Sequence, residues 1–446
     1  MKTLSRLILV AALAVSLTTG LLANGLNLNG FGARATGMGG AYVSLANDYT
    51  AVFWNPAGLA EMTKAQFGLA VDALFPTGKY GVGTFEMKTE NKLYPAGLVG
   101  YFQPIGKNIV VGVGAYSLSG LGADWVNPGL EAALVFPTPP AAFTPTLGAY
   151  DWRSYIGSIT IAPSIAVKLS DMFFLGASFN INYGFFKTDQ WGGFTMIFPP
   201  TGGTELPMAV APLAVINFGQ QTLDVKGWGY GATFGIKVKP AEWINLGATF
   251  RMESKVKLSG TMDIENLSAL EPYTGLTIPN SAGAKMDVTS PMWIAGGVSV
   301  KPMPELTLAF DAQYTNWGKL TEIPITFDNA VWTLLLADES SLVLDWKNKT
   351  QFRFGAEYDF GKIAVRGGYY YDPAPAPDAT LNVLTPSFTY NSVAVGLGYK
   401  SGGLRLDAAF EYLTGKKRTI TDMDAAMPGV YQEHVLVPTV GLSFSF

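Results

Sequence analysis

Apolar side chains recur at every second position through most of the chain after residue 63. In the stretch 351–360, for example, apolar residues at the even positions alternate with polar or small residues at the odd positions. Because successive residues of a β-strand point to opposite faces, each such stretch predicts a strand with one apolar and one polar face. The pattern predicts about fourteen strands, at residues 64–74, 93–103, 108–118, 155–169, 172–187, 222–239, 243–257, 287–301, 305–316, 350–360, 362–371, 388–400, 403–413 and 432–446.

The connections between these strands alternate between short and long. Tight turns lie near residues 104–107, 170–171, 240–242, 302–304, 361 and 401–402, and the long connections are 75–92, 119–154, 188–221, 258–286, 317–349, 372–387 and 414–431. A soluble β-sandwich would share the apolar alternation, but its architecture gives no reason for loop lengths to alternate. Short turns on one side and long loops on the other are typical of outer-membrane barrels. We therefore predict an all-β fold, a transmembrane antiparallel β-barrel over residues 63–446 with both chain ends on the periplasmic side.

The last predicted strand ends at Phe446 and carries apolar residues at alternate positions from Val440 onward. A terminal aromatic residue on an amphipathic strand resembles the signal by which outer-membrane barrels are delivered for insertion. Barrel-insertion machinery is therefore an expected partner, together with outer-membrane lipid and lipopolysaccharide. Closure of the sheet leaves no backbone edge unpaired, which is what the interior of a bilayer requires.

The first residues have the pattern of a secretory signal. Lys2 and Arg6 precede an apolar run from Leu7 to Leu17, and small or polar residues follow. We predict a signal peptide at residues 1–23, with cleavage after Gly20 as the alternative. An uncleaved anchor is disfavoured because the run is shorter than the ~20 residues that span a bilayer. The expected location is the outer membrane of a Gram-negative bacterium.

Residues 24–62 form a glycine-rich segment with few charges before the first predicted strand. Its glycines do not have the G-x-G-x-x-G spacing of a dinucleotide-binding loop, and no βαβ unit surrounds them. Small residues let backbone pack closely against a curved wall. We predict that this segment is an N-terminal hatch that plugs the lumen of the barrel.

Composition narrows the chemistry. Among 446 residues, 48% are hydrophobic and only 14% are charged, against about 25% charged in soluble domains. The chain has no Cys, which excludes disulfides and thiolate metal sites, and its one His is His434. We expect no metal and no organic cofactor. The net charge of −4 gives no reason to expect nucleic acid as a partner.

Several motifs occur in order along the chain. Asn55, Pro56 and Ala57 stand within "AVFWNPAGLA", after the stretch "NGFGARATGMGGAYVSLAND". Later come "FDAQYTNWGKL" at 310–320, "FRFGAEYDF", "AVRGGYYYDPAPAP" and "MPGVYQEH…GLSFSF". Together they resemble the FadL family of outer-membrane transporters for long-chain fatty acids and aromatic hydrocarbons, in which they correspond to the NPA motif of the hatch, later strands, an outer loop and the carboxyl end. The long, proline-rich stretch 119–154 departs from the family, so its conformation cannot be carried over.

The resemblance implies a passive mechanism in which a ligand binds an outer-loop groove, moves to a lumenal site, shifts the hatch and leaves sideways through the wall. For the outer groove we predict apolar residues of loop 188–221, which are Phe194, Met196, Ile197, Phe198, Met208, Leu213, Val215 and Ile216. The same residues could instead cap the barrel by packing on one another. A kink in the third strand would open the wall, and the candidate glycines there are Gly112, Gly114, Gly120 and Gly122.

A fatty-acid carboxylate would need a cation inside the lumen, because an unpaired charge in a low-dielectric cavity is costly. The candidate partners are Arg251, Lys319, Arg353 and Arg366. The alternative is that these groups neutralise acidic residues of the wall, such as Glu357 and Asp359 around Arg353. A neutral arene would need no cation, so the sequence leaves fatty acids, alkanes and arenes open as substrates.

Other classes of function are less favoured by the residues. An outer-membrane lipase or acyltransferase needs a nucleophile beside a base, but the chain has one His and no G-x-S-x-G motif. We therefore expect no enzyme activity. A general diffusion porin or a structural barrel remains an alternative, and in either case we would expect no plug in the lumen. We expect a monomer.

Overall fold

The computed structural model describes residues 25, 28, 30–126, 129–134, 146–198, 214–336 and 340–446. The predicted signal peptide at 1–23 and the predicted groove residues Met208 and Leu213 lie outside the described residues. Within the described part, no helix is both long enough and apolar enough to span a bilayer.

Fourteen antiparallel strands, counted over the described residues, form one closed barrel, as the alternation predicts. They are β1 Gln66–Val82, β2 Tyr94–Ile105, β3 Ile109–Val126, β4 Trp152–Lys168, β5 Phe173–Trp191, β6 Gln220–Ala241, β7 Ile244–Arg251 with Ser254–Ile264, β8 Ser281–Ser290 with Trp293–Met303, β9 Leu306–Thr315, β10 Lys349–Asp359, β11 Ile363–Asp372, β12 Tyr390–Ser401, β13 Leu404–Gly415 and β14 Gly429–Ser445.

Each strand pairs with its neighbours in sequence, and β1 pairs with β14 from Gln66 opposite Ser445 to Gly81 opposite Val430, which closes the barrel. Strands β7 and β8 are each interrupted near their middle. The first part of β7 pairs with the second part of β8, and the second part of β7 pairs with the first part of β8. The interruptions therefore lie side by side, and both strands continue across them.

Side chains alternate between the two faces of the wall. On β6, Trp228, Tyr230, Phe234 and Ile236 are 47–61% exposed, whereas the intervening Thr233 is buried. The exposed apolar residues form an outward band suited to lipid, and the buried positions point into the lumen. The alternation in the predicted strand 222–239 therefore assigned its apolar residues to the correct face of the wall.

Several strands run further toward the long-loop side than the sequence predicted. Residues 75–82 belong to β1 rather than to a loop, and the predicted loop 258–286 is strand up to Ile264 and again from Ser281. Short strands extend this rim. They are Phe85–Thr89, Glu322–Phe327, Ser341–Val343 and Arg418–Ile420, and a separate hairpin joins Phe194–Ile197 to Ala214–Asn217.

Short helices occupy the remaining described connections. Two lie before the barrel, α1 Ala33–Gly37 and α2 Ala51–Trp54, followed by the 3-10 helix Pro56–Glu61. The others lie in the long loops and comprise the α-helices Leu130–Leu134, Glu271–Thr274 and Ala330–Leu335 and the 3-10 helices Leu267–Leu270, Trp317–Lys319 and Asp378–Thr380. The long-loop side faces outward from the cell in barrels of this kind.

Candidate functional site

Residues 30–62, here called the N-terminal segment, contact lumen-facing side chains around the barrel. Most of the segment is buried, and Asn55 has no exposed surface. The Asn55 amide donates to the carbonyl oxygens of Val43 at 2.9 Å and of Ile236 at 3.1 Å, and its side-chain oxygen accepts from the Ala57 amide at 3.1 Å. One side chain therefore caps the 3-10 helix, ties two parts of the segment together and joins them to the β6 wall.

Two glycines of the wall allow this close approach. A Cβ at Gly235 of β6 would overlap the Asn55 side-chain oxygen, and a Cβ at Gly176 of β5 would overlap the backbone of Pro56. A larger residue at either position would push the Asn55–Ala57 turn away from the wall. The wall and the turn are thus fitted to each other at the backbone.

Asp311 of β9 provides a second attachment, three strands along the wall from β6. Its Oδ2 accepts hydrogen bonds from the backbone amides of Tyr42 at 2.6 Å and Val43 at 2.7 Å, and the residue is 1% exposed. Charge-assisted hydrogen bonds to backbone amides are among the stronger polar contacts in proteins. The segment is therefore held from β6 and from β9.

An ion-pair network joins the segment to the wall near the short-turn side. Glu357 of β10 accepts two hydrogen bonds from Arg34, at 2.8 and 3.0 Å, and one from Arg366 at 2.6 Å. Arg366 also lies 2.9 Å from Asp407, which in turn accepts from Arg405 at 2.7 Å. The Arg366 side chain is fully buried in this network. For Arg366, this geometry supports neutralisation by acidic residues of the wall rather than a role as a free cation for a ligand carboxylate.

The end of the segment carries another ion pair. Glu61 contacts the buried Lys237 and, at 2.7 Å, Lys239, both on β6. Lys237 also donates to the Ala46 carbonyl oxygen at 3.2 Å. Burial raises the pKa of Glu61, but the two lysines outweigh it, and the pKa lies below its ordinary value of 4.5. Glu61 is therefore an anionic anchor at neutral pH.

Arg251 of β7 differs from these pairs because it has no acidic partner within 4 Å among the described residues. Its guanidinium lies 5.0–5.4 Å from the ring centroids of Phe53, Tyr116 and Trp293. Nη2 donates to the Phe53 carbonyl oxygen at 3.2 Å and to the Tyr116 hydroxyl at 3.1 Å, whereas Nη1 has no hydrogen-bond partner. A buried cation with a free donor thus touches both the segment and β3.

The other two predicted cations are placed differently. Arg353 of β10 donates to Gln351 at 3.0 Å and lies 5.1 Å from the ring centroid of Trp54, so it supports the segment. It does not pair with Glu357 or Asp359, which bond to other cations. Lys319 is exposed in a loop of the long-loop side. The structure therefore does not bring the four predicted cations together.

A cavity of about 330 Å³ opens at the long-loop mouth of the lumen. Upper strand residues and loop residues line it, and none of them is charged. Its apolar lining includes Trp152, Phe186, Leu223, Met262, Met286, Ile325, Leu342, Val383, Leu384 and Met427, and its polar lining includes Thr188, Gln190, Gln221, Ser341, Asn382 and Thr385. The size and the apolar lining suit a small hydrophobic ligand.

Acidic residues occupy the lumenal wall on β1, β13 and β14. Asp72 accepts from Thr439 at 2.7 Å, Glu411 accepts from Ser392 at 2.7 Å, and Glu433 accepts from Tyr390 at 2.5 Å. None of these three carboxyl groups has a basic partner within 4 Å in the described part of the chain. This side of the lumen offers a ligand carboxylate no cation among the described residues.

The predicted outer groove falls on the separate hairpin. Phe194 pairs opposite Asn217, Met196 opposite Val215, and Ile197 opposite Ala214. Phe194 stacks on Trp191 at 6.1 Å, and Ile216 is the buried member of the set. Phe198 follows the first strand of the hairpin and is partly buried. These six described residues are gathered at one place, but they do not line the mouth cavity.

The wall is interrupted between β2 and β3. Their described ladder runs from Ile105 opposite Ile109 only to Leu98 opposite Tyr116. Beyond that point, Ser117 and residues 119–123 of β3 pair only with β4, and contact on the other side resumes where the Glu90 amide donates to the Asp124 carbonyl oxygen at 2.7 Å and Trp125 meets Thr89. A register shift between Ser117 and Ser119 marks a bulge at Leu118.

The candidate kink glycines flank this bulge. Gly112 and Gly114 precede it, and Gly120 and Gly122 follow it. A Cβ at Gly114 would lie 2.7 Å from Val52, so this part of β3 abuts the N-terminal segment. Residues 120–125 are buried on both faces of the strand, which indicates that β3 bends away from the lipid-facing surface there.

The profile of the family described as outer membrane protein transport protein (OMPP1/FadL/TodX) matches residues 139–446, more than two thirds of the chain. The chain belongs to the OMPP1/FadL/TodX family. This confirms the resemblance found in the sequence and locates the protein in the outer membrane. The family consists of transport proteins for hydrophobic compounds.

Solved structures of the OMPP1/FadL/TodX type share the fold. A FadL homologue from Pseudomonas aeruginosa superposes with a TM-score of 0.74 at 19% identity, covering 95% of this chain and 100% of that chain. The toluene transporter TodX from Pseudomonas putida gives 0.66 at 17%, covering 94% and 99%. The toluene transporter TbuX from Ralstonia pickettii gives 0.63 at 18%, again covering 94% and 99%. No curated protein matches the sequence significantly.

Sequence reasoning missed several residues around the segment of this FadL-type barrel. Asp311 lay in a quoted motif, and its inward position in an alternating strand was the signal that could have found it. The rings of Tyr116 and Trp293 around Arg251 come from strands far apart in the chain, and no local pattern links them. The close approach at Gly176 and Gly235 could not be recognised in the sequence, because glycine is frequent throughout the barrel.

Proposed function

We propose that the protein is a passive channel that captures uncharged hydrophobic molecules at the mouth of the barrel and releases them sideways into the outer membrane. The observation that carries this proposal is the mouth cavity of about 330 Å³, whose lining contains no charged residue. A molecule that is poorly soluble in water gains free energy by leaving it for such a surface. No energy source is needed, because binding and release follow the concentration gradient.

Two further observations favour neutral substrates such as arenes and alkanes over fatty acids. The lumenal wall carries the acidic groups Asp72, Glu411 and Glu433. Arg366 is neutralised by Glu357 and Asp407. A fatty-acid carboxylate would therefore find no free cation at these positions.

Fatty acids remain the second candidate because of Arg251. Its buried Nη1 has no hydrogen-bond partner, and arginine binds carboxylates through two parallel hydrogen bonds. A carboxylate arriving there would compete with the Phe53 carbonyl oxygen for the guanidinium. Binding of an anionic ligand would thereby loosen the segment at α2.

In this proposal the N-terminal segment is the hatch. Its hydrogen bonds and ion pairs to β6, β9 and β10 hold it in the lumen and block a continuous aqueous path. The same contacts support the predicted domain division, in which a hatch at residues 24–62 precedes the barrel. The hairpin with Phe194 and Met196 provides the first apolar surface that a ligand meets.

Release is proposed to occur through the interruption between β2 and β3. Trp152 lines the mouth cavity and pairs opposite Trp125 at the upper end of that interruption. Below the segment, the lumen opens into a polar cavity of about 400 Å³ whose lining includes Glu61, Lys237, Glu357 and Arg405. A greasy molecule would lose free energy by entering that polar space, so the sideways path is favoured.

Matched ligand pairs test the substrate class. The full-length protein in nanodiscs is dialysed against labelled toluene or benzoate, and against 1-decanol or decanoate. Each pair differs mainly in the carboxylate. We expect the neutral member to bind at least tenfold more tightly, which corresponds to about 1.4 kcal/mol.

Equal or tighter binding of decanoate would contradict the preference for neutral molecules. In that case Arg251→Gln discriminates further, because the fatty-acid candidate requires it to weaken decanoate binding while leaving 1-decanol binding unchanged. Absence of binding by all four molecules would contradict the capture site itself. Analysis of hydrophobic molecules that co-purify with the protein provides an independent readout.

A further inference from the structure

The outward face of β6, β7 and β8 carries a cluster of lysines that the transport path does not use. Lys226, Lys257 and Lys285, here called the lysine face, are all exposed. Lys226 lies opposite Ser259, which lies opposite Lys285 on the next strand, so these residues form one row across three strands. Lys257 lies on the middle strand, two residues from Ser259 on the same outward face. It is opposite Trp228, one position nearer the short-turn side than the row of the other two lysines.

The height of the lysine face follows from the apolar band below it. On β6, the outward positions from Val238 to Trp228 are all uncharged, and Lys226 is the next outward residue. Ten residues of a strand tilted by about 45° rise by about 23 Å, close to the ~25 Å height of the apolar band in such barrels. Trp228 is 51% exposed and lies opposite Lys257, as expected of an aromatic residue at the membrane interface.

The lysine face carries positive charge that the protein does not neutralise. Among the described residues, none of these three ammonium groups lies within 4 Å of an acidic oxygen. The neighbouring Lys255 differs, because it pairs with Asp287 at 2.6 Å. The exposed acids beside the lysine face are Asp224, Asp287, which lies opposite Lys257, and Asp328, which accepts from the Gly283 amide at 2.8 Å; none of them pairs with a lysine of the face. Three unpaired cations within about 10 Å repel one another unless an external anion lies between them.

We propose that the lysine face binds the phosphate groups of a lipid of the outer leaflet, namely lipopolysaccharide. Lys226 and Lys285 lie one position above the apolar band of β6 and Lys257 lies level with its uppermost residue Trp228, at the height where lipid phosphates are found and on the outer wall that acyl chains contact. Flexible lysine stems allow several ammonium groups to converge on one phosphate. Exposed aromatic rings at Trp228 and Tyr230 offer apolar contacts to the acyl chains of the same lipid.

A free phosphate in solution has the same charge but no acyl chains. It would gain only the exposed electrostatic contacts, which are weak and screened by salt. A lipid adds burial of its acyl chains against the adjoining band, so the position of the lysine face at the edge of that band favours the lipid as occupant.

The experiment compares three forms of the full-length protein purified in mild detergent. The first is the unaltered chain, the second carries Lys226→Gln, Lys257→Gln and Lys285→Gln, and the third carries Lys79→Gln, Lys416→Gln and Lys417→Gln. The third form removes three exposed lysines from other parts of the surface and serves as the matched control. Each form is titrated with lipopolysaccharide and with the same lipid after enzymatic dephosphorylation, and inorganic phosphate is added as a competitor.

We expect the lysine-face variant to bind lipopolysaccharide at least tenfold more weakly and the control variant to stay within twofold of the unaltered chain. Dephosphorylation of the lipid should weaken binding to the unaltered chain by a similar factor. Ten millimolar inorganic phosphate should displace little of the lipid. Lys→Arg at the same three positions should retain binding, and heat-modifiable migration in gels reports that each barrel is folded.

Equal binding by the lysine-face variant and the unaltered chain would overturn the proposal. So would an equal loss in the control variant, or binding that ignores the lipid phosphates. Efficient displacement by inorganic phosphate would identify a site for free anions and would equally overturn the lipid assignment.

Discussion

At the scale of single residues, the side chain of Asn55 links the N-terminal segment to the barrel wall through its hydrogen bonds. Its amide group makes three hydrogen bonds, two to carbonyl oxygens and one from a backbone amide, and no water reaches it. A buried polar group that loses its partner costs about 1–3 kcal/mol. Removal of this one side chain would take a hydrogen bond from three backbone groups, two in the N-terminal segment and one in the wall.

Asn55→Ala should therefore loosen the segment and leave the barrel folded. We expect faster hydrogen exchange of amides in residues 43–62, with a free-energy loss of about 1–3 kcal/mol in that region. The control is Asn391→Ala, which removes an exposed asparagine that accepts from Tyr369 on the outer face. Unchanged exchange in the Asn55 variant would mean that the segment is held by its other contacts alone.

A glycine pair tests the fit between the segment and the wall. Gly235→Ala places a methyl group against Asn55 and Pro56, and overpacking of this kind costs about 1–3 kcal/mol. Gly296→Ala is the matched control, because a Cβ there has no heavy atom within 4 Å. Only the Gly235 variant should show faster exchange in residues 43–62. Similar behaviour of the two variants would contradict the close approach of the turn.

The Glu61 anchor predicts a pH dependence. The pKa of Glu61 is lowered in the folded protein, so its stabilising contribution is fully present above about pH 4.5 and is lost as the pH falls through the lowered pKa. The protection factors of the amides near residue 61, which correct for the intrinsic pH dependence of exchange, should therefore fall below pH 4.5. Glu61→Gln should remove that component of the pH dependence, and a variant that keeps the full acid response would assign it to other groups.

At the scale of elements, the sequence was sufficient for the strands that cross the membrane. A strand with lipid on one face and the lumen on the other alternates apolar and polar residues with a two-residue period. This alternation was enough to predict where β6, β10 and β13 lie and which of their residues face lipid. The period fails above the membrane, where neither face must be apolar. That is why the upper parts of β1 and β7 were expected to be loops.

The candidate site was less predictable than the strands. The Asn55–Ala57 motif and the inward positions of Arg251, Arg353 and Arg366 could be read from local patterns. Their partners could not, because Glu357, which accepts from Arg366 of the neighbouring strand, also accepts from Arg34, more than three hundred residues away in sequence. Whether an inward cation is free or neutralised depends on such distant contacts.

The bulge in β3 allows a test of sideways release. Deletion of Leu118 would bring Ser117 and Ser119 into consecutive register with Ile159 and Ser158 of β4. A regular β3 could then pair with β2 over more of its length, which would narrow the opening. We expect uptake of labelled toluene into cells to fall at least fivefold, with surface amounts of the barrel unchanged.

Leu118→Ala is the control for that deletion, since it shortens the side chain and keeps the bulge. It should retain most of the uptake. If the deletion variant transports normally while its barrel is folded, the ligand leaves by another path.

At the scale of the whole molecule, the charged residues of the lumen support the proposal that the N-terminal segment closes the protein to water-soluble solutes. The segment contacts Arg251, Asp311, Arg353 and Glu357 of the wall, so the chain's own groups occupy this part of the lumen. In a diffusion porin, comparable side chains face a water-filled channel. The difference between a selective channel and a porin would then lie in the segment rather than in the wall.

This leads to a prediction about conductance. Deletion of residues 30–62, with the signal region retained, should leave a folded barrel whose lumenal charges become hydrated, because the wall pairs strand to strand without help from the segment. In planar bilayers the unaltered protein should pass little current, and liposomes that contain it should not swell in sugar solutions. The deletion variant should open a steady, water-filled pore and permit swelling, while losing its preference for hydrophobic molecules. Sugar permeation through the unaltered protein at porin-like rates, or a folded deletion variant that stays closed, would show that the segment does not block the lumen.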